Sequence, residues 1–529
     1  MTNQITTTNY MILENIDLGE ARCFSPLFLD YLNQKKELKD FYEVFPSVKN
    51  FEELINNRQF SEDNRNELNK VLVEQYGPLK TTEAVDFNIH SLTHERTFTI
   101  TTGHQLNIFS GPLYFIYKIV TTINLCKALR KQFPDYNFVP VYWMATEDHD
   151  FAEINHFHLF GKRYEWQTDQ RGPVGRFKPH SMNTVFHELP ETVDLFEQAY
   201  LDFSTLAEAT RFYVNELFGD QGLVVVDADH AALKELFVPV IKKEIFESVA
   251  NPLVEEASSK LNNLGYKSQV FSREINFFYI DNEIRERIVR EEGGFKVLNT
   301  DLFFTDDEMF RTIEERPEHF SPNVITRPIY QETILPNLGY VGGPAEISYW
   351  LQLKEAFKAF DTFFPALIPR NFALVINKAN AKKFRKLDLP VAELFGDVHQ
   401  IKTLFLKNST NTEFDLKEEK KEMGKLFEKL KKKAEAIDKS LAGFIGAESA
   451  KSFKILDEIG KKIKKSEENN NETAMSQIDN LKEKLFPEGN LQERHDNFLN
   501  FYLNHPDFIQ LLLDKFDAFD FRFNILMDE

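Results

Sequence analysis

Three short stretches of the sequence concentrate residues able to bind or move charge. The first is Thr101-Thr102-Gly103-His104-Gln105, closed by Ser110-Gly111-Pro112. Gly103 lets a ligand approach the backbone, and the helix expected next offers unpaired N–H groups to an anion. His104 would donate to a phosphate or move a proton, and Lys118 lies further along that helix. The plainer alternative is a glycine-containing turn with a solvated histidine. The second stretch is Glu147-Asp148-His149-Asp150, followed by Glu153 and His156. His149, Glu153 and His156 step by four and three, so an early-starting helix would put them on one face and admit a metal. A capping box competes, with Asp150 as N-cap and Glu153 at its third position, which leaves His149 outside the helix. The third runs from Ser321-Pro322-Asn323 through Arg327 and Gln331 to Gly342-Gly343-Pro344, Glu346 and Tyr349. A Gly-Gly turn entering a helix can receive an anionic or carbonyl oxygen on its N–H groups. Arg327 and Arg370 are candidate forks for anions, unless each serves an ordinary ion pair.

These stretches need elements to hold them. The runs at Thr97, Phe138–Met144 and Gly222–Val226 read as strands, each followed by a polar loop and a helical pattern. Such alternation predicts parallel βαβ units, and continuous apolar runs suit strands covered on both faces. In an open sheet of this kind ligands bind beyond the carboxyl ends of the strands. INFFYIDN and PALIPRNFALVIN are further strand candidates, and residues 1–90 read as mostly helical, with Ser25-Pro26 opening one helix. Residues 415–466 differ. Met423, Phe427, Leu430, Ala434, Ile437, Leu441 and Phe444 form a heptad seam that Gly443 and Gly446 interrupt. A second helical run carries Leu456, Ile459 and Ile463, then Ile478, Leu481 and Leu485, which predicts a helical hairpin. SEENNNET within it is either exposed helix or a break. So narrow a stripe suits pairing with a second copy better than a broad core, though packing on its own protein is the alternative.

Composition narrows the partners. The 529 residues carry 63 Lys+Arg against 83 Asp+Glu, a net charge of −20, which argues against broad binding to nucleic acid or anionic membrane. Residues 415–466 hold 15 lysines and 10 acidic residues, a net +5, so the remainder stands at −25. Arg327 and Arg370 are the more telling in so acidic a body. No apolar stretch approaches the ~18 residues of a membrane span. The N-terminus lacks a basic region followed by an apolar run, and two cysteines, Cys23 and Cys126, cannot build a disulfide framework or a four-thiolate zinc site. A cytoplasmic protein is expected. Without GxSxG, HExxH or CxxC, a serine hydrolase, a zincin and a thiol oxidoreductase have no support.

Taken together, TTGHQLNIFSGPLYFIYK, VPVYWMATEDHDFAEINH, SPNVITRPIYQETILPNLGYVGGPAEISYW and the late LQER resemble the cysteine ligases of bacillithiol biosynthesis. The resemblance covers nearly the whole chain. It implies an α/β fold: a Rossmann-like parallel sheet core with inserted connecting segments, as in class I aminoacyl-tRNA synthetases, plus an α-helical coiled-coil hairpin arm that makes a homodimer. The implied organisation is a helical segment over 1–90 packing on the core, a catalytic core over 91–414, the arm over 415–486, and a return to the core over 487–529. The implied reaction adds L-cysteine to the amine of glucosaminyl-malate, the last step to bacillithiol. ATP, with magnesium, is the implied activating cosubstrate; no tightly bound metal or organic cofactor is expected, and neither nucleic acid nor membrane is a partner. Catalytic roles would fall to Asp148, His149 and His104. Nucleotide or substrate binding would fall to Thr102, Gly103, Gln105, Gly111, Glu147, Asp150, Asn323, Arg327, Gln331, Gly342, Gly343, Glu346, Tyr349 and Arg370. Asp148 or Glu147 would deprotonate the ammonium nucleophile, and Arg327 or Arg370 would suit the malate carboxylates. His104 stands where the family pattern expects glutamine, which weakens it as an indispensable catalyst and leaves a nucleotide-binding role open. Two other readings remain: a nucleotide-binding scaffold of the same pathway, and a metal-dependent hydrolase built on His149, Glu153 and His156.

Overall fold

The computed structural model describes residues 10–410, 414 and 416–528. Residues 1–9 of the stretch read for a leader, and Asp415 where the arm was expected to begin, lie outside the described residues. The chain divides into two compact units. The first is built mainly from residues 23–374 and 492–525, the second mainly from 375–491.

At the centre of the first unit lies a five-stranded parallel sheet. Its strands are β1 (Thr97–His104), β2 (Asn137–Met144), β3 (Val224–Asp227), β4 (Asn337–Gly342) and β5 (Ala366–Pro369). They lie in the order β5-β4-β1-β2-β3. Every residue of β1 is buried, as a strand covered on both faces requires. Pro140 is tolerated in β2 because it lies one residue before β3 begins to pair at Val141, where β2 is still an edge. Phe98, Ile100, Phe138, Leu338 and Ile368 pack with Leu125, Cys126 and Leu129 of helix α1 (Tyr114–Gln132) into one apolar cluster. The chain adds β2 and β3 on one side of β1, then crosses back to add β4 and β5 on the other. The order therefore reverses between β1 and β4, which makes their carboxyl ends the crevice of the sheet.

Insertions surround this core. Between β2 and β3 the strands His156–Leu159 and Lys162–Glu165 form a short hairpin. Between β3 and β4 a five-stranded antiparallel sheet includes Phe277–Ile280, Arg285–Glu291 and Phe320–Pro322. INFFYIDN is thus a strand, but of this second sheet. PALIPRNFALVIN supplies two strands, β5 and Phe372–Ile376, which belong to different sheets with Arg370-Asn371 between them. Helix α2 (Arg327–Ile334) precedes β4, and α3 (Pro344–Trp350) follows it. The helix at Ser25-Pro26 begins as read, and Ser25, Ser47, Ser61 and Thr82 each accept a hydrogen bond from the N–H three residues on. Tyr10–Ile16, expected to be helical, is instead a strand, in a sheet with Phe523–Asp528 and Phe372–Ile376.

In the second unit α4 (Lys417–Glu435) and α5 (Leu441–Asn470) form a helical hairpin, continued by α6 (Glu472–Leu485). Lys420 pairs with Asp457 at 2.7 Å, and Gly424 sits beside Phe453. The heptad seam is not one continuous helix. The chain reverses at Ala436–Ser440, where the Asp438 carboxylate accepts the Ser440 N–H at 2.8 Å in place of a helical bond. Gly443 and Gly446 lie inside α5 and interrupt nothing. SEENNNET is helical through Asn470, and Asn471 alone separates α5 from α6. No residue of α4 is buried. Among the described residues no helix is long and apolar enough to cross a membrane.

Candidate active site at the carboxyl edge of the central sheet

Two polar clusters occupy this edge, both within the first unit. The first lies in the crevice between β1 and β4. Gly103 is the penultimate residue of β1, inside the strand rather than in a loop. A Cβ there would lie 3.2 Å from the Tyr340 hydroxyl and 3.8 Å from Arg327 Nη1, so the bare backbone leaves that space open. Lys118 reaches back from α1, donates to the Gly103 carbonyl at 2.7 Å and pairs with Glu346 Oε2 at 2.5 Å. Glu346 also accepts the Tyr340 hydroxyl at 2.6 Å and the Gly343 N–H at 2.8 Å. Burial works against the Glu346 charge, and Lys118 outweighs it, keeping the carboxylate below its ordinary range. The Gly343 N–H, expected to be free for a ligand, is therefore taken by the Glu346 carboxylate of its own helix.

His104 ends β1 and is buried, not solvated as the turn reading supposed. It stacks on Tyr114 with ring centroids 5.1 Å apart and planes 5° apart. Burial, with Lys118 and Arg370 nearby, holds its pKa well below the histidine range. It is a neutral ring whose Nε2 has no protein partner, so it offers a ligand a hydrogen bond and no charge. Arg327 opens α2, lies over Tyr340 and Trp143, and gives Nη1 to Gln331 Oε1 at 3.1 Å. Its Nη2 is unpartnered. Burial opposes its charge, but the Tyr349 and Tyr340 hydroxyls and Glu346 hold the guanidinium protonated.

Arg370 is not a free anion fork. Its Nη2 meets Glu493 Oε1 at 2.5 Å with side-chain exposures of 1% and 0%, and Nη1 donates to the Asn371 carbonyl. The guanidinium lies 4.4 Å from the Phe372 ring centroid. A buried charge is retained only with such a partner, and this pair holds the C-terminal return segment to the sheet edge.

The second cluster follows β2. Asp148 accepts Gln105 Nε2 at 2.6 Å, the His149 N–H at 2.7 Å and Arg285 Nη1 at 3.4 Å. Burial opposes the charge; His149, Arg285 and Gln105 overcome it, and the carboxylate is held well below its ordinary pKa. Glu147 is raised instead, by burial, although it pairs with Lys234 and accepts Ser321 Oγ at 3.3 Å. Lys234 is fully buried and also donates to the Phe320 carbonyl at 2.7 Å. Two adjacent carboxyls are thus pushed apart in proton affinity, the arrangement that separates an ionised anchor from a proton acceptor. Arg285 comes from the antiparallel sheet, contacts His149 Nδ1 at 2.9 Å and lies 4.1 Å from the Phe278 ring centroid. Gly175 packs on this loop so closely that a Cβ would fall 2.5 Å from that of Thr146.

Both expectations for the helix after Asp148 fail. Phe151–Ile154 is a single turn, Asp150 makes no capping bond, and His156 already begins a strand. His149, Glu153 and His156 share no helix face, and the hydrolase reading loses its ligand set. Of four other candidates, three serve the fold and the fourth, Asp150, lies at the surface. Thr102 Oγ1 donates to the Val341 carbonyl; Gly111 has φ +63° with Asn107 packed against it; Asn323 Oδ1 caps the Ile325 N–H; Asp150 is exposed. The edge therefore brings together Gly103, His104, Gly342, Gly343, Glu346, Tyr349 and Arg327 on one side, and Gln105, Glu147, Asp148 and His149 on the other. Reading by sequence missed Lys234 and Arg285, which stand in no local motif, and gave no role to Tyr340, which lies within the third stretch. Glu493 lay in plain view in LQER.

The chain is similar throughout its length to known proteins. Residues 11–371 match the family described as Bacillithiol biosynthesis BshC, N-terminal Rossmann-like domain, and residues 373–527 match its C-terminal coiled-coil domain. A curated relative from Flavobacterium psychrophilum is 43% identical over 526 residues, covering 97% of this chain and 98% of its own. One from Cytophaga hutchinsonii is 41% identical over 510 residues, covering 96% and 98%. One from Bacillus cereus is 27% identical over 529 residues, covering 94% and 97%. Each of the three bears the name "Putative cysteine ligase BshC". With both domains matched and identities above 40% across nearly the full length, the chain belongs to the BshC family of bacillithiol biosynthesis.

Proposed function

We propose that this chain is the ligase that joins the carboxyl group of L-cysteine to the amine of glucosaminyl-malate. A free carboxylate does not acylate an amine at neutral pH, so the carboxyl must first be activated. ATP is the reagent in this reading: a cysteine carboxylate oxygen attacks the α-phosphorus, pyrophosphate leaves, and the amine then displaces AMP from the acyl carbon. The observation that carries the proposal is the divided edge of the central sheet. A crevice with an unpartnered ring nitrogen on His104 and an unpartnered donor on Arg327 stands beside two carboxyls of opposed proton affinity. The crevice suits anionic groups, with the Gly103 backbone and His104 toward the nucleotide and Arg327 toward a malate carboxylate. Asp148, held ionised, suits the incoming ammonium. Glu147 suits the proton that this ammonium gives up. Magnesium would arrive on the phosphates, since no group of three or more His, Cys, Asp or Glu among the described residues could hold a metal by itself.

Free thiol and ATP as substrates fit a cytoplasmic enzyme. A homodimer is proposed through the hairpin, where Leu426, Leu430, Ile437, Leu441, Phe444, Ile455 and Ile459 are exposed. So many large apolar side chains along one hairpin suit a second copy of the same seam. The test of the reaction is a reconstituted assay with cysteine, ATP and glucosaminyl-malate, followed by thiol product. The wild type should form it, and an Asp148→Asn/His149→Ala variant should lose most of the rate. No thiol product from the wild type, or an undiminished rate in that variant, would remove the assignment.

A further inference from the structure

Arg327 is backed by a buried polar chain that touches no part of the crevice. Next to Gln331 on α2 stands Glu332, 1% exposed. Its Oε1 accepts two amide N–H groups, from Asn337 Nδ2 at 2.7 Å and from Gln331 Nε2 at 2.9 Å. An amide has one donating and one accepting end, whereas carboxyl Oε1 only accepts here. With both nitrogens turned to Glu332, both amide oxygens must face the other way. Asn337 Oδ1 accepts the hydroxyls of Thr99 at 3.1 Å and Thr101 at 2.9 Å inside the sheet. Gln331 Oε1 accepts Arg327 Nη1 at 3.1 Å. Reversing the Gln331 amide would set its NH₂ against the guanidinium, donor against donor.

We propose that Glu332 is a positioning residue for substrate-anion binding: it fixes the polarity of the Gln331 amide, which anchors Arg327 by Nη1 and leaves Nη2 uncommitted for a substrate carboxylate. The inference rests on the reading that Arg327 receives the malate carboxylate. It assigns Glu332 no contact with substrate and no proton transfer. An accepting oxygen is all the position requires, so glutamine should serve and methionine should not.

The test measures glucosaminyl-malate binding by calorimetry and, in parallel, KM and kcat of the full-length protein. Glu332→Met, which removes a buried group with an unpartnered Oε2, should remain folded. It should weaken binding and raise KM by about tenfold, as loss of one charge-assisted anchor implies, with kcat within about twofold. Glu332→Gln should return both to near wild type. Adding Gln331→Met to Glu332→Met should cost nothing more, because both act through the same amide. Wild-type binding in Glu332→Met, a fall in kcat at constant KM, or a Glu332→Gln variant as weak as Glu332→Met would overturn the proposal. Should Glu332→Met not fold, Gln331→Met carries the same expectation and the same refutation. Binding is read without turnover, so a wild type that binds glucosaminyl-malate and makes no thiol product would refute the ligase while the binding cycle still decides the role of Glu332. Unchanged affinity in Arg327→Met would overturn the shared premise.

Discussion

The Arg370–Glu493 pair gives the sharpest test of how the first unit is held together. Its members lie 123 residues apart, at 1% and 0% side-chain exposure, with Nη2 and Oε1 2.5 Å apart. Glu493→Ala removes the counter-charge and leaves Arg370 bonded only to the Asn371 carbonyl, between the Phe372 and Tyr114 rings. An uncompensated buried charge of this kind costs about 3–5 kcal/mol. Glu493→Gln keeps an accepting oxygen and should cost about half as much. Arg370→Met/Glu493→Leu removes both charges and should be markedly less destabilising than the sum of Arg370→Met and Glu493→Leu measured alone. Urea denaturation followed by tryptophan fluorescence is the suitable assay. All 3 tryptophans, Trp143, Trp166 and Trp350, belong to the first unit, so the signal reports on that unit alone. A loss below about 1 kcal/mol for Glu493→Ala, or a double variant whose cost equals the sum of its parts, would refute the view that this pair closes the core.

Other outcomes follow from the same coordinates. Burial lifts the Glu332 carboxyl from its ordinary 4.5 to about 7. A raised carboxyl favours the folded state below its unfolded pKa, and that contribution is lost as pH rises through the folded one. Stability should therefore fall by up to about 3 kcal/mol between pH 4.5 and pH 8 through this group, and Glu332→Gln should flatten that slope in urea titrations; an unchanged slope would contradict it. Deleting residues 415–486 should leave a monomer in sedimentation, and a persisting dimer would exclude the hairpin as the dimer seam. Gly175→Ala puts a Cβ 2.8 Å from the Thr146 carbonyl oxygen and should cost about 1–3 kcal/mol through overpacking. Gly103→Ala comes tight only against the movable Tyr340 hydroxyl, at 3.2 Å, with Arg327 Nη1 in ordinary contact at 3.8 Å. It should cost turnover more than stability, which paired kinetic and melting measurements would separate.

Four of the five strands of the central sheet were legible as β-rich runs ending in polar residues; β4, whose NLGYVG alternates apolar residues with glycine, was not. That rule alone brought Gly103, His104 and the Glu147-Asp148 pair to the carboxyl edge. Their chemical character was not legible. Whether His104 is solvated or buried depends on Tyr114 and Phe115, which reach it only once α1 has folded back on β1. The different proton affinities of Glu147 and Asp148 depend on the burial of Glu147, which outweighs Lys234, and on Arg285 beside Asp148; Lys234 and Arg285 are both brought in by segments distant in the chain. Arg370 and Glu493 were each in view, but not as partners. One error was avoidable. His156 and His158 alternate with buried Phe157 and Leu159, and Phe160-Gly161 follow with φ +51° and +80°. That is the grammar of a hairpin, not of a helix face. The heptad misled because its period specifies which residues face a partner, not whether the helix runs on past Asp438.

The order in which the chain is made has a consequence for the Arg370 site. A ribosome releases all five strands of the central sheet before the hairpin, and the counter-ion for Arg370 emerges 123 residues later. At about 5–20 residues per second that is an interval of roughly 6–25 s. During it the nascent sheet must hold an unneutralised guanidinium at its edge, open to water. The first unit can seal only after the second has been translated. Nascent chains stalled before Glu493 should thus be far more sensitive to protease around residues 366–374 than chains stalled after the return segment is out.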